Sequence, residues 1–282
     1  MTVKNEVAVP VVVPAPYQHL VLGVFGFRPG EHLVQVASEL AKGTDAQLHL
    51  VRLLLDWEYR VANDAKAELQ DLAKRYNADA DVVLTSRSHP YRSQQLSEFV
   101  DSFPNACAVV PTDTTFSIAD DLLGSTAAEL LRHTRRPIIG VGSNVVVDRP
   151  VEQVVAPVDG TAFSTEILPE AARWAKALRV PLWLVQVIDA NVRSEPGLES
   201  GWVRHQAERL SGSGIDVEWE VLHGGHPAKA LLQWLYAGPH TLTALATHAP
   251  HGVRTFFTPS VADQLLQLSP GPVVVELPES AL

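Results

Sequence analysis

One order of elements is written twice along the chain, offset by about 133 residues, and this repeat constrains the fold more than anything else in the sequence. The first unit opens with the apolar run HLVLGVFG (19–26). An amphipathic GEHLVQVASELAKG (30–43) and a strand-like AQLHLVRLLL (46–55) follow, then a helical DAKAELQDLAKRY (64–76). Next come the strand ADVVLTS (80–86), the helix YRSQQLSEFVDSF (91–103) and the strand ACAVVPTD (106–113). STAAELLRHT (125–134) reads as a helix and RPIIGVG (136–142) as a fifth strand. The second unit runs QVVAPVDG (153–160), STEILPEAARWAKALR (164–179), PLWLVQVID (181–189), GWVRHQAERLSGSG (201–214) and VEWEVLHGG (217–225). It ends with PAKALLQWLYA (227–237), TLTALATH (241–248), SVADQLLQL (260–268) and GPVVVELP (271–278).

Alternating strands and helices predict parallel sheets, because parallel neighbours need a crossover and the crossover is a helix. The strands read as continuous Val, Leu and Ile runs, as expected of strands covered on both faces. A length of 282 residues suits two domains, each able to bury about two-thirds of its unfolded surface. The expected boundaries are 17–143 and 151–282, joined by SNVVVDRPVE (143–152), a link short enough that the units pack on each other.

Net charge is −10, and the halves divided at residue 150 carry −4 and −6. Neither is a basic module, which argues against a nucleic-acid partner. The single cysteine, Cys107, excludes a disulfide framework and multi-cysteine metal sites. It sits in an apolar strand, where a thiol is inert. No apolar run reaches the roughly 18 residues of a membrane span. The proline-broken start, MTVKNEVAVPVVVPAP, reads as an extended, partly disordered leader rather than a secretory signal, and the expected location is cytoplasmic.

The stretch VVAPVDGTAFSTEILPEAARWAKAL (154–178) resembles the opening of a universal stress protein domain. GHPAKALLQWL (225–235), THAPHG (247–252) and SVADQLL (260–266) before GPVVVEL are similar to later parts of the same family. The first unit repeats the pattern more weakly in SHPYRSQQL (88–96) and GSTAAELLRHTRRPIIGVG (124–142). The resemblance covers about residues 17–280 as a tandem pair. It implies an adenine nucleotide alpha hydrolase-like fold: two doubly wound five-stranded parallel sheets in the order 3-2-1-4-5, associating through their fifth strands as a pseudo-dimer. It also implies two branches of the family. One binds ATP through an acid at the end of strand one and G-x2-G-x9-G-[S/T] after strand four; the other lacks the glycines and does not.

The motif has a physical basis. Glycines let bare backbone approach phosphates, and the last glycine and hydroxyl open a helix whose free N–H groups receive negative charge. The ligand then sits beyond the carboxyl ends of the strands, where strand order reverses. In the second unit Ala246, Ala249, Pro259 and Ser260 occupy the motif positions, so all three glycines are replaced. Pro259 has no N–H to donate and suits the first turn of a helix capped by Thr258. Asp159 keeps the strand-one acid, Ser260 keeps the hydroxyl, and Ser260 and Val261 offer amides; His248, His251 and Arg254 could add positive charge. In the first unit Gly124 and Ser125 are retained, but Pro111 and Thr114 replace the first two glycines and Phe25 replaces the acid. Asp120 and Asp121 lie just ahead of that cradle and would repel phosphate.

His223-x2-His226 and His248-x2-His251 follow predicted strands three and four of the second unit. The family's strand order would hold those strands about 14 Å apart, against ligand distances near 2 Å, so loop histidines are expected rather than a metal site. Asp159, His248 and Ser260 are the residue types of a nucleophilic triad, but no G-x-S-x-G elbow is present and Ser260 opens a helix. HGGH (223–226) looks like a nucleotidyl transferase motif but follows strand three rather than strand one. Trp174, Trp183, Trp202, Trp219 and Trp234 read as core or interface anchors, and Trp57 and Tyr59 as residues that fill a would-be base pocket.

The sequence therefore points to a non-enzymatic stress-response or signalling protein with nucleotide binding weakened or lost and no cofactor. Its expected partners are its own two domains, an unidentified protein and a second copy, with no nucleic acid or membrane. The competing reading is an ATP- or AMP-binding module with its working site in the second domain; a slow ATPase is a third.

Overall fold

The computed structural model describes residues 11–24, 31–54, 62–84, 92–112, 130–131, 133–134, 136–147, 149–188, 200–247 and 260–277. The first unit contributes β1 (His19–Val24), α1 (Glu31–Thr44), β2 (Gln47–Leu54), α2 (Ala62–Tyr76), β3 (Asp79–Leu84), α3 (Arg92–Asp101), β4 (Ala106–Pro111) and β5 (Ile138–Val141). The second contributes β6 (Gln153–Val158), α4 (Ala162–Thr165), α5 (Leu168–Leu178), β7 (Leu182–Ile188), α6 (Gly201–Ser211), β8 (Val217–His223), α7 (Pro227–Ala237), β9 (Thr241–Ala246), α8 (Val261–Leu268) and β10 (Val273–Glu276).

The ten strands form one sheet in the order β3-β2-β1-β4-β5-β10-β9-β6-β7-β8. Each half follows the expected 3-2-1-4-5 order, and every pairing within a half is parallel. The halves meet where β10 runs antiparallel to β5, with Val274 opposite Ile139. The two expected sheets are thus one continuous sheet, and the carboxyl ends of one half's strands lie at the amino ends of the other's.

Pleating sends alternate side chains to opposite faces, and both faces are covered. Leu20 and Leu22 of β1 and Val154 and Ala156 of β6 join Leu40 of α1, Leu69 of α2, Ala171 of α5 and Val203 of α6 in one core. Val21, Val155 and Val273 point the other way, to Leu96 of α3, Leu231 of α7 and Leu265 of α8. Cys107 lies fully buried in the first core, where burial pushes its thiol pKa well up. Trp174 is a core residue, as expected, but Trp219 is 36 % exposed because it lies on the edge strand β8.

The helix expected over 164–179 is instead two. The chain leaves α4 at Thr165 and restarts at Leu168, with Pro169 in the first turn of α5. A proline there cannot donate back to the preceding turn, so one continuous helix is disfavoured by about 3 kcal/mol while a fresh start is favoured.

Packing at the joint is close. Gly140 of β5 leaves room for Leu266 of α8 and for Thr112, whose hydroxyl donates to the Leu266 carbonyl at 2.8 Å. Asp45 and Arg179, left-handed residues just beyond α1 and α5, form an ion pair across the joint at 3.5 Å. Both are largely exposed, so the pair adds little stability.

Candidate functional site

The carboxyl ends of β6, β7, β9 and β10 share one rim of the second unit, and α8 begins on it because it must carry the chain back to the start of β10. Asp159 stands one residue beyond β6 and is exposed. Its Oδ1 accepts from the Thr161 hydroxyl at 2.6 Å and the Thr161 amide at 3.0 Å, while its own amide donates to Ser164 Oγ at 3.2 Å. Burial acts to raise its carboxyl pKa, but the bonds from Thr161 and Ser164 outweigh it and hold the group below the usual range. Asp159 is therefore ionised at neutral pH. The turn uses Gly160 at φ +88°, where an L side chain would be strained, and Gly160 lies against Gln186 of β7. Among the described residues the buried Gln186 Oε1 has no hydrogen-bond partner.

Ser260 is where the sequence expectation changes. Its side chain, rather than the expected Thr258, caps α8 by accepting from the Asp263 amide at 3.1 Å, so the helix begins after Pro259. The Asp263 carboxylate reaches back, and its Oδ2 accepts from the Ser260 amide at 2.9 Å and the Ser260 hydroxyl at 2.7 Å. Ser260 was expected to offer its amide and hydroxyl to an anion; both are taken by the chain's own carboxylate, in a capping box. Val261 follows at the first helical position with its side chain 36 % exposed. Asp263 was missed in the motif reading, although Ser-x-x-Asp ahead of an apolar run is a legible capping signal.

Ala246 ends β9 opposite Glu276 of β10, and the Thr247 amide donates to the Glu276 carbonyl at 2.9 Å. Burial, chiefly, raises the Glu276 carboxyl pKa to about 7; Glu170 and Glu166 add to the rise and Arg173 opposes it. A folded-state pKa above the unfolded one means stability is fully present below about pH 4.5 and is lost as pH rises towards 7. Glu276→Gln should therefore stabilise the chain at pH 8 by about 1–2 kcal/mol, discounted for the group's partial exposure, and change little at pH 4.5. Urea denaturation at the two pH values checks this.

Ala249, Pro259, Thr258, His248, His251 and Arg254 lie outside the described residues, as do Gly124, Ser125, Asp120, Asp121, Thr114, Phe25, Trp57 and Tyr59. Pro111 ends β4 opposite Val141. His223 ends β8 and His226 precedes Pro227 at the start of α7, while β8 and β9 lie three strand positions apart. Among the described residues no group of three or more His, Cys, Asp or Glu could hold a metal ion.

Residues 150–275 match the model of the universal stress protein family. The second unit is a universal stress protein domain. Over the whole chain the fold is similar to that of a universal stress protein from Archaeoglobus fulgidus DSM 4304, with a TM-score of 0.67 and 16 % identity, covering 91 % of this chain and 98 % of that one. A putative universal stress protein from Pseudomonas aeruginosa UCBPP-PA14 gives 0.62 and 15 %, over 94 % of this chain and 95 % of that one. A functionally unknown protein from Pseudomonas aeruginosa PAO1 gives 0.61 and 15 %, over 94 % of each. At such identities the likeness is one of fold, and it places the first unit in the same architecture as the stress protein domain. No curated protein matches the chain in sequence.

Proposed function

We propose that the chain is a non-enzymatic stress-response or signalling protein, cytoplasmic, whose second unit has a degenerate nucleotide site. The observation that carries this reading is the Asp263 carboxylate on the amide and hydroxyl of Ser260. A triphosphate seated at α8 would have to displace that carboxylate and then lie beside its charge. The described residues at the start of α8 do not fit the phosphate group. Among the described residues no helix is long and apolar enough to cross a membrane.

A second reading, an ATP- or AMP-binding module in the same unit, is favoured by Asp159, ionised on the rim, and by the unpartnered Oε1 of Gln186 beside it. Calorimetric titration with ATP and Mg2+ separates the two. Saturation is expected to be absent or to need roughly millimolar nucleotide. Submicromolar saturation that Asp159→Ala abolishes would establish the second reading instead, and hydrolysis lost in Ser260→Ala would show an ATPase.

A further inference from the structure

The internal repeat extends beyond the two units into the segments ahead of β1 and β6. At an offset of 134, Val11-Val12-Val13-x-x-Pro16-Tyr17 matches Val145-Val146-Val147-x-x-Pro150-Val151. Each segment packs on the helices of the other unit. The first runs over the second unit, where the Ser213 hydroxyl donates to the Val11 carbonyl at 2.8 Å and Val11 and Val13 pack on the core. The second shares a cavity of about 10 Å3, enough for about one water, with Val36 and Leu40 of α1.

The two contacts are equivalent by position but unlike in chemistry. Tyr17 donates to Glu170 Oε1 at 2.8 Å, its ring lies 5.4 Å from Trp174, and the Arg173 guanidinium stands 4.4 Å over it. At the same offset Val151 stands for Tyr17, Val36 for Glu170, Glu39 for Arg173 and Leu40 for Trp174. One contact is built on a tyrosine, a tryptophan and a buried carboxylate; the other sets the small Val151 against Val36 and Leu40, with Glu39, Arg149 and His240 around the same space.

We propose that this mismatch makes the joint selective, so that unit one pairs with unit two while like units of two chains are kept from pairing. Pairing of two second units would set Val151 against Glu170 and Trp174, removing the tyrosine hydroxyl from a buried carboxylate and leaving a ring-sized void. Pairing of two first units would force Tyr17 onto Val36 and Leu40, where the existing space holds about one water. Selectivity arises because both wrong pairings are penalised, and the short link then completes the right one within one chain.

The test is oxidative cross-linking of the full chain carrying Arg179→Cys, read on non-reducing gels. Arg179 faces Asp45 in the observed joint, so the introduced thiol meets no second thiol there. A pairing of second units would bring two such thiols together. With Tyr17 and Glu170 intact, the cross-linked dimer should not exceed that of a control chain carrying Tyr236→Cys, an exposed position on α7. Adding Tyr17→Val, Glu170→Val, Arg173→Glu and Trp174→Leu copies the other contact, leaves no guanidinium without its anion, and should raise the dimer at least about five-fold. Tyr17→Phe, which keeps the ring and removes only the hydroxyl, should raise it about two-fold and guards against misfolding of the multiple variant, with circular dichroism reporting the fold. A dimer fraction that neither variant changes, or one already above the control with the native residues, would overturn the proposal.

Discussion

Glu170→Ala is expected to destabilise the chain by about 3–5 kcal/mol, the usual cost of removing one partner from a buried ion pair. Glu170 is 3 % exposed and sits at the centre of the contact between the leader and α5. Its Oε1 accepts from the Tyr17 hydroxyl and from Trp174 Nε1, each at 2.8 Å, and its Oε2 pairs with Arg173 at 2.8 Å. Alanine leaves two buried donors without an acceptor and a guanidinium without its anion, and each orphaned donor costs about 1–3 kcal/mol. Burial raises the carboxyl pKa of Glu170, and Arg173, Tyr17 and Trp174 oppose that rise. Glu170→Gln keeps an oxygen for both donors and should lose less than half as much. Urea denaturation followed by tryptophan fluorescence measures both variants; a loss under about 1 kcal/mol for Glu170→Ala would show that this contact does not hold the two units together.

The second large effect is expected at Gly271, between α8 and β10. A Cβ there would collide with the backbone carbonyl of Thr241, the first residue of β9. The strands cannot part to admit it, because the Thr243 amide donates to the Pro272 carbonyl at 3.0 Å and β9 and β10 are in register from Thr243 and Val273 onward. Gly271→Ala should therefore cost about 2–4 kcal/mol and act on the strand that forms the joint. Gly214 is the instructive contrast. Nothing lies within 4 Å of a Cβ there, but its φ is +77°, so alanine should cost only about 1 kcal/mol, through backbone conformation. Thermal melts of the two variants side by side check the difference, and equal shifts would contradict it.

Parallel strands and helical crossovers were legible because both units alternate apolar runs with amphipathic stretches, whereas the order of the strands was implied by the family resemblance. The fusion of two sheets into one was implied only by family resemblance: nothing in VVVEL or PIIGV announces which strand will be an antiparallel neighbour. The break before α5 was legible in Pro169 yet was read through, since the surrounding alanines carry a strong helical pattern. At the candidate site the losses of glycine could be read from the sequence. That Ser260 would give both its donors to Asp263 was signalled by Ser-x-x-Asp, but local capping and anion binding ask for the same residue at the same place, so the nucleotide motif alone does not decide between them. The hub of Tyr17, Glu170 and Arg173 was hidden for a different reason. Tyr17 lies about 150 residues from Glu170 and Arg173 and meets them only because the start of the first unit packs on α5 of the second.

A crystal structure of the chain grown with ATP and Mg2+ would test the account most directly. The expected result is the Asp263 carboxylate still bonded to the amide and hydroxyl of Ser260, with no phosphate at the start of α8. A triphosphate seated on Ser260, with Asp263 turned away, would contradict it.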